Sequence, residues 1–258
     1  MAAFLRLRQV CLVAAELARQ SALLQSIFGL QECYRDPNVA AYGLENVLFP
    51  IGTDFIEIVA PLREGTAAGR FLARHRGRYG YMIIMDCDDP LARQAHCAQR
   101  GVRAAHTIEH PGYLGVQLHP KDTGAAMLEF NRTEGGEDPR GPYGPAGKDW
   151  QRAIRADVTQ RLLAAEIDCP DAAQFGARWA DLLQRPLKPA GQGAFSISLD
   201  SGTLRFLPAN LPEPVLAGIG LQVTDRASVL GVAREQGCVV ATDSLAVCGM
   251  RIRLTEAA

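Results

Sequence analysis

Two glutamates sit in the middle of segments that read as β-strands. Glu57 lies between Phe55-Ile56 and Ile58-Val59, and Glu129 lies between Met127-Leu128 and Phe130. A strand turns alternate residues to one face, so Glu57 shares a side with Phe55 and Val59, and Glu129 with Met127. Glutamate is rarely buried without a partner, so the residues alone place both on the wet side of half-exposed sheets. If the two carboxylates instead converged, they would need a divalent cation or one shared proton, because like charges at close range push one pKa up. The other chemistry-bearing residues have plainer readings. His119-Pro120-Lys121-Asp122 reads as a solvated hairpin tip whose proline and aspartate set the backbone. His75, His106 and His110 fall on loops or helix faces. Arg70, Arg74, Arg76 and Arg78 form a basic run in which Arg70 and Arg74 share a helix face, by default a solvated one.

The elements that would position these groups recur along the chain. Arg6 to Ala14 reads as a strand and Ala18 to Phe28 as a helix ended by Gly29. Strands at Asn46–Ile51 and Asp54–Ala60 flank the turn Gly52-Thr53. The pattern then returns: a strand at Tyr81–Asp86, a helix capped by Asp89 with Pro90 at its first position and running to about Arg100, and strands at Leu114–Leu118 and Ala126–Phe130. Thr133 to Lys148 is rich in glycine and proline and reads as an interdomain linker. A third unit follows, with a strand at Arg161–Ile167, a helix opened by Asp168-Cys169-Pro170, and a hairpin of Phe195–Leu199 and Thr203–Leu207. A fourth has a strand at Leu216–Val223, a helix at Asp225–Gln236, and strands near Val239 and at Met250–Leu254. The expected domains are 1–132, carrying the candidate site, a linker at 133–149, and a second, degenerate domain at 150–258.

Composition narrows the function classes. The chain has 258 residues, 48% of them hydrophobic, and a formal net charge of -1. That balance gives no electrostatic drive towards nucleic acid or a membrane surface. No apolar run has membrane-spanning length, and the apolar stretch Val10–Ala15 is too short for a secretory signal, so the expected location is the cytoplasm. Seven cysteines at wide spacing, without a Cys-x-x-Cys, read as buried reduced thiols rather than a disulfide framework or a zinc knuckle.

The run Arg8-Gln9-Val10-Cys11-Leu12-Val13-Ala14, the helix ending Phe28-Gly29-Leu30, and Phe55-Ile56-Glu57-Ile58-Val59-Ala60-Pro61 together resemble modules of the vicinal-oxygen-chelate superfamily of glyoxalases, bleomycin-resistance proteins and dioxygenases. Tyr81-Met82-Ile83-Ile84-Met85-Asp86 resembles the start of a second module. Leu118-His119-Pro120-Lys121-Asp122-Thr123-Gly124 with Met127-Leu128-Glu129-Phe130 is similar to methylmalonyl-CoA epimerases, and the whole resemblance spans about residues 5–131. It implies an α+β fold of paired βαβββ modules, with curled, mostly antiparallel sheets around a cavity. It also implies one metal ligand on each of four strands, here Gln9, Glu57, Met82 and Glu129. The family normally has histidine where this chain has Met82. A thioether is a soft and poor ligand for the hard ions an oxygen-rich set would take, so a divalent metal (Ni, Co, Zn, Mn or Mg) would be weakly held, and Met82 is left to line the substrate cavity. Gln9, Glu57 and Glu129 are then the expected metal ligands, Glu57 the expected catalytic base, and Met82, His119 and Lys121 the expected substrate contacts.

The resemblance implies a metal-assisted lyase, isomerase or epimerase acting on a small oxygenated acid or thioester. The alternative is a metal-free small-molecule binding protein of the bleomycin-resistance type. An extradiol dioxygenase is disfavoured, because its two-histidine, one-carboxylate set is missing. The expected partner is a small-molecule ligand, with no nucleic acid and no membrane, in a possible homodimer. In the second half the approximate equivalents of the four ligand positions are Leu162, Leu204, Gly218 and Arg251. None of these is a ligand, so that half reads as a structural mate.

Overall fold

A computed structural model describes residues 4–256 of the chain. The protein is α+β and built from four successive modules, βαββ in the first and fourth and βαβββ in the second and third. The first has β1 (Leu5–Val13), α1 (Leu17–Phe28), β2 (Leu44–Ile51) and β3 (Asp54–Pro61), followed by α2 (Ala67–His75). The second has β4 (Met82–Cys87), α3 (Pro90–Ala98), β5 (Ala104–His110), β6 (Tyr113–Leu118), the short α4 (Pro120–Thr123) and β7 (Met127–Thr133). The third has β8 (Thr159–Cys169), α5 (Ala172–Leu183), β9 (Leu187–Gly191), β10 (Ala194–Ser198) and β11 (Thr203–Pro208). The fourth has β12 (Val215–Val223), α6 (Arg226–Glu235), β13 (Ser244–Val247) and β14 (Met250–Glu256).

The helices start where the chemistry of their first residues dictates. Asp89, Asp171 and Asp225 each accept a hydrogen bond from the backbone N–H three residues on, satisfying a donor that the helix leaves open. Gly29 closes α1 in the left-handed region, with φ 65°, where glycine pays no Cβ penalty. In every module the first strand runs parallel to the last one, as β1 does to β3, β4 to β7, β8 to β11 and β12 to β14. Hairpins supply the antiparallel pairs, so both seven-stranded sheets, β1–β7 and β8–β14, are mixed.

Contacts divide the chain into two compact units that are not continuous in sequence. One holds the chain up to Arg8, Met82–Gly144 and Ala164–Ala217, and in it α3 packs against α5. Its largest buried ring is that of Trp179, whose indole N–H donates to the Thr123 carbonyl at 3.0 Å. The other unit holds Gln9–Tyr81, Pro145–Leu163 and the chain from Gly218 onward, and in it α1 packs against α6. There the edge of one ring meets the other between Phe55 and the buried Trp150, with centroids 4.9 Å apart.

Several expectations need correction. His106 and His110 are neither on loops nor on helix faces but on β5, a strand whose residues are nearly all exposed and whose sequence therefore shows no apolar alternation. Leu187–Gly191, a stretch with no apolar alternation, is a further strand, β9. Pro120–Thr123 is a turn of helix, capped at its start by the His119 ring, rather than an open hairpin tip. The third helix is capped by Asp171, because β8 continues through Asp168 to Cys169. The last hairpin uses Ser244–Val247, and Val239 is exposed.

The Gly/Pro-rich stretch at 133–148 contains no strand beyond Thr133, but it is packed: Tyr143 and Ala146 are buried, with the Arg8 guanidinium 4.8 Å from the Tyr143 ring. All seven cysteines are reduced, five of them buried. Among the described residues, no helix is long and apolar enough to cross a membrane.

Candidate functional site

Glu57 sits on β3, opposite Cys11 of β1 and Leu48 of β2. All of β3 except its last residue is buried, and Glu57 is only 8% exposed, so the solvent-facing default for this glutamate does not hold. Its charge is met by amides. The Gln9 side-chain N–H donates to one carboxylate oxygen at 2.8 Å, and Asn46 Nδ2 donates to the other at 2.7 Å. The Asn46 carbonyl oxygen accepts in turn from the backbone N–H of Asp36 at 2.8 Å, which fixes the amide from both ends. A carboxylate can only accept, so the amides facing Glu57 must present their NH2 groups.

Glu129 sits on β7 and is 3% exposed. Tyr113 OH donates to one oxygen at 2.9 Å, joined by Asn131 Nδ2 at 3.2 Å, and Gln117 Nε2 donates to the other at 2.9 Å. Gln117 lies directly across β6 from Glu129, and Asn131 is two residues along the same face. Asn131 Nδ2 also reaches the Tyr143 hydroxyl at 3.4 Å. Burial, and then the Glu129 charge, push the Tyr113 phenol well above its ordinary value. It therefore stays a neutral donor at any physiological pH.

Of the three expected metal ligands, Gln9 is hydrogen-bonded to Glu57, and Glu129 is buried among donors of its own. Met82 is buried on β4, opposite Met127 of β7. His119 caps α4 through Nδ1, which accepts from the Lys121 N–H at 3.2 Å, and Lys121 is exposed. Asn46, Tyr113, Gln117, Asn131 and Tyr143 are missed. Asn46 is the partial exception, because an asparagine opening the apolar run Val47-Leu48-Phe49 is a visible anomaly.

The donor set does not fit a resident divalent ion. A metal shared by Gln9 and Glu57 would need the Gln9 carbonyl oxygen where its NH2 group lies, hydrogen-bonded to Glu57. Both Glu57 oxygens already accept from neutral amides, and Met82 adds only a thioether. Among the described residues, no three histidine, cysteine, aspartate or glutamate side chains are grouped to hold a metal. A cleft of about 470 Å³ lies elsewhere in the same unit as Glu57. It is lined by Val13, Glu16, Arg19, Leu72 and Cys248 among others, and neither Gln9 nor Glu57 borders it.

The strand registers locate the equivalent positions in all four modules. The residue five before each helix cap is Cys11, Ile84, Glu166 and Gly220. Their partners on the module's last strand are Glu57, Glu129, Arg205 and Arg253. The residue seven before the cap is Gln9, Met82, Ala164 and Gly218. The second-half equivalents are therefore Ala164, Arg205, Gly218 and Arg253, displaced from the expected Leu162, Leu204 and Arg251. Where the first two modules hold a glutamate, the last two hold an arginine.

Four modules, each of one main helix and three or four strands, form two mixed seven-stranded sheets. A hypothetical protein from Staphylococcus aureus shares this architecture over 98% of this chain and 99% of its own, with a TM-score of 0.68 at 12% identity. A variant of Streptomyces coelicolor methylmalonyl-CoA epimerase, in complex with 2-nitronate-propionyl-CoA, aligns with 50% of this chain and 98% of its own, with a TM-score of 0.46 at 19% identity. No protein-family model and no curated protein matches the sequence.

Proposed function

We propose that this protein is a metal-independent small-molecule binding protein, in which Glu57 and Glu129 serve as hydrogen-bond acceptors for ligand groups. The observation that carries this reading is the way the two carboxylates are neutralised. Every one of their oxygens accepts from an amide or a phenol of its own module, at 2.7–2.9 Å for the shortest contacts. Hydrogen bonds to a charged acceptor are the strong ones, and in a buried site they supply what an ion would otherwise supply. A site organised this way prefers ligands that bring donors, such as hydroxyls or amides.

The metal-assisted lyase, isomerase or epimerase is the second reading. It is supported by the resemblance, which puts Gln9 and Glu57 at two of the family's ligand positions, and it would make Glu57 the base. In it, a divalent ion such as Ni or Co would polarise two vicinal oxygens of the substrate.

Metal titration separates the two. Isothermal titration with Ni of the wild type and of Met82→His is expected to show no site tighter than about 1 mM, or roughly -4 kcal/mol, in either protein. Stoichiometric metal in freshly purified protein would defeat the binding reading and restore the metal-assisted one. So would a Met82→His variant that binds Ni at least about tenfold more tightly than the wild type.

A further inference from the structure

The third module carries a row of chemistry that neither carboxylate site uses. Register aligns four residues across four strands: Lys188 of β9 faces Ser196 of β10, which faces Arg205 of β11, which faces Glu166 of β8. The next row pairs Ser198 with Thr203. In adjacent strands, residues directly opposite one another share a face. The other face of the hairpin carries Phe195, Ile197, Leu204 and Phe206 and packs against α5, with the Phe206 ring 6.1 Å from Phe175 and 6.2 Å from Trp179. The row Lys188-Ser196-Arg205 therefore lies on the face away from α5, exposed at Lys188, half-buried at Ser196 and Arg205, and closed over at Glu166.

The charges in this row are unequally used. Glu166 is fully buried and takes one donor of Arg205, Nη1, at 2.9 Å. The Arg205 side chain is 35% exposed. Among the described residues, no hydrogen-bond acceptor meets its Nε or Nη2, the Ser196 hydroxyl or the Lys188 ammonium. Guanidinium holds two oxygens of an anion in one plane, and the Glu166 contact on Nη1 anchors the fork while the side chain remains 35% exposed. Strands lie about 4.8 Å apart, so Lys188 and Arg205 flank Ser196 at about 10 Å between backbones. That span lets two long cationic side chains close on one oxyanion above the serine.

We propose that the third module is an anion-binding site, in which Arg205, Ser196 and Lys188 hold a phosphate or carboxylate group of a ligand. Arg205 occupies the register position that Glu57 and Glu129 hold in the first two modules, so the chain uses one framework position with opposite charge in its two halves. Glu166 serves as a positioning residue: it sits within the sheet, fixes one guanidinium nitrogen and leaves the others for the ligand. The second half is then more than a structural mate. The site is separate from the Glu57 and Glu129 reading and stands or falls without it.

Inorganic phosphate and acetate are the two probes, each titrated into the full-length protein at constant ionic strength. Backbone and side-chain NMR shifts of residues 186–208 provide the readout. Saturable shifts confined to β9–β11 are expected, and the tighter probe tells whether the natural group is a phosphate ester or a carboxylic acid. Lys188→Ala and Ser196→Ala leave the Arg205–Glu166 pair intact. Each should weaken binding by fivefold or more without changing the thermal midpoint. Arg205→Lys, which keeps the charge but loses the planar fork, should weaken it at least as much. Linear, unsaturable shifts with both probes would overturn the proposal, as would binding that survives Lys188→Ala and Ser196→Ala unchanged.

Discussion

Raising the pH from about 8 to about 10 is expected to remove about 4 kcal/mol of stability through Cys87, Cys97 and Cys248 alone, a large part of the 5–15 kcal/mol typical of a folded protein. The cause is buried thiol. Burial pushes Cys87 and Cys248 up from 9.0 to about 12, and Cys97 from 9.0 to about 11; nearby Arg93 only partly offsets this at Cys87, as Arg100 does at Cys97. The folded protein holds these protons more tightly than the unfolded chain does. Stability is therefore intact below 9.0, where unfolded thiols are still protonated, and falls as the pH climbs towards the folded values. Each thiol costs about 1.4 kcal/mol per pH unit in that window. Above about pH 10 the buried phenols of Tyr113 and Tyr143, both held well above their ordinary value by burial first, steepen the loss. Urea midpoints at pH 8, 9 and 10 under reducing conditions give the slope directly. Equal midpoints at pH 8 and pH 10 would show that these thiols ionise without unfolding. Cys97→Ala should remove one thiol's share of the slope and little else.

What the sequence revealed, and what it hid, follows from the range of the interactions. The helix starts at Asp89 and Asp225 are legible because a cap is a contact over three residues. Strands with one dry face are legible from their apolar runs. β5 and β9 are not, since exposed edge strands bury little and leave no pattern. Both glutamates stood out as charged residues in apolar strands. The resemblance turns both inward, but the residues around them do not show it, because their burial depends on Asn46, Tyr113, Gln117 and Asn131, which reach them over 11, 16 and 12 residues or from the next pleat. The Arg205 equivalence was hidden for a different reason. Side-chain direction has a period of two, so an estimate one residue off, such as Leu204, lands on the opposite face. Only the strand register resolves it.

Glu129→Leu should cost about 3 kcal/mol of stability, although it removes a buried charge and adds apolar volume. The carboxylate is 3% exposed and is the acceptor for three donors, Tyr113 OH, Asn131 Nδ2 and Gln117 Nε2. Replacing both sides of a buried polar contact by apolar groups is often harmless, but removing one side leaves the other to pay its desolvation, about 1–3 kcal/mol for each buried group. Gln117 is half-exposed and can turn to water, whereas Tyr113 and Asn131 are buried and would be left with each other and Tyr143. Asn131 is already strained in this respect, since its side-chain oxygen lacks a partner among the described residues. Glu129→Gln keeps one acceptor oxygen and the shape, so it should cost about 1 kcal/mol. The decisive variant is the pair Glu129→Leu with Tyr113→Phe. Deleting the stranded hydroxyl should recover about 1 kcal/mol of the loss, a positive coupling that a double-mutant cycle reads from urea denaturation. If the two substitutions simply add, or if Glu129→Leu proves as stable as wild type, the phenol does not depend on the carboxylate. The neutral-donor network that argues against a metal at Glu129 would then lose its strongest link.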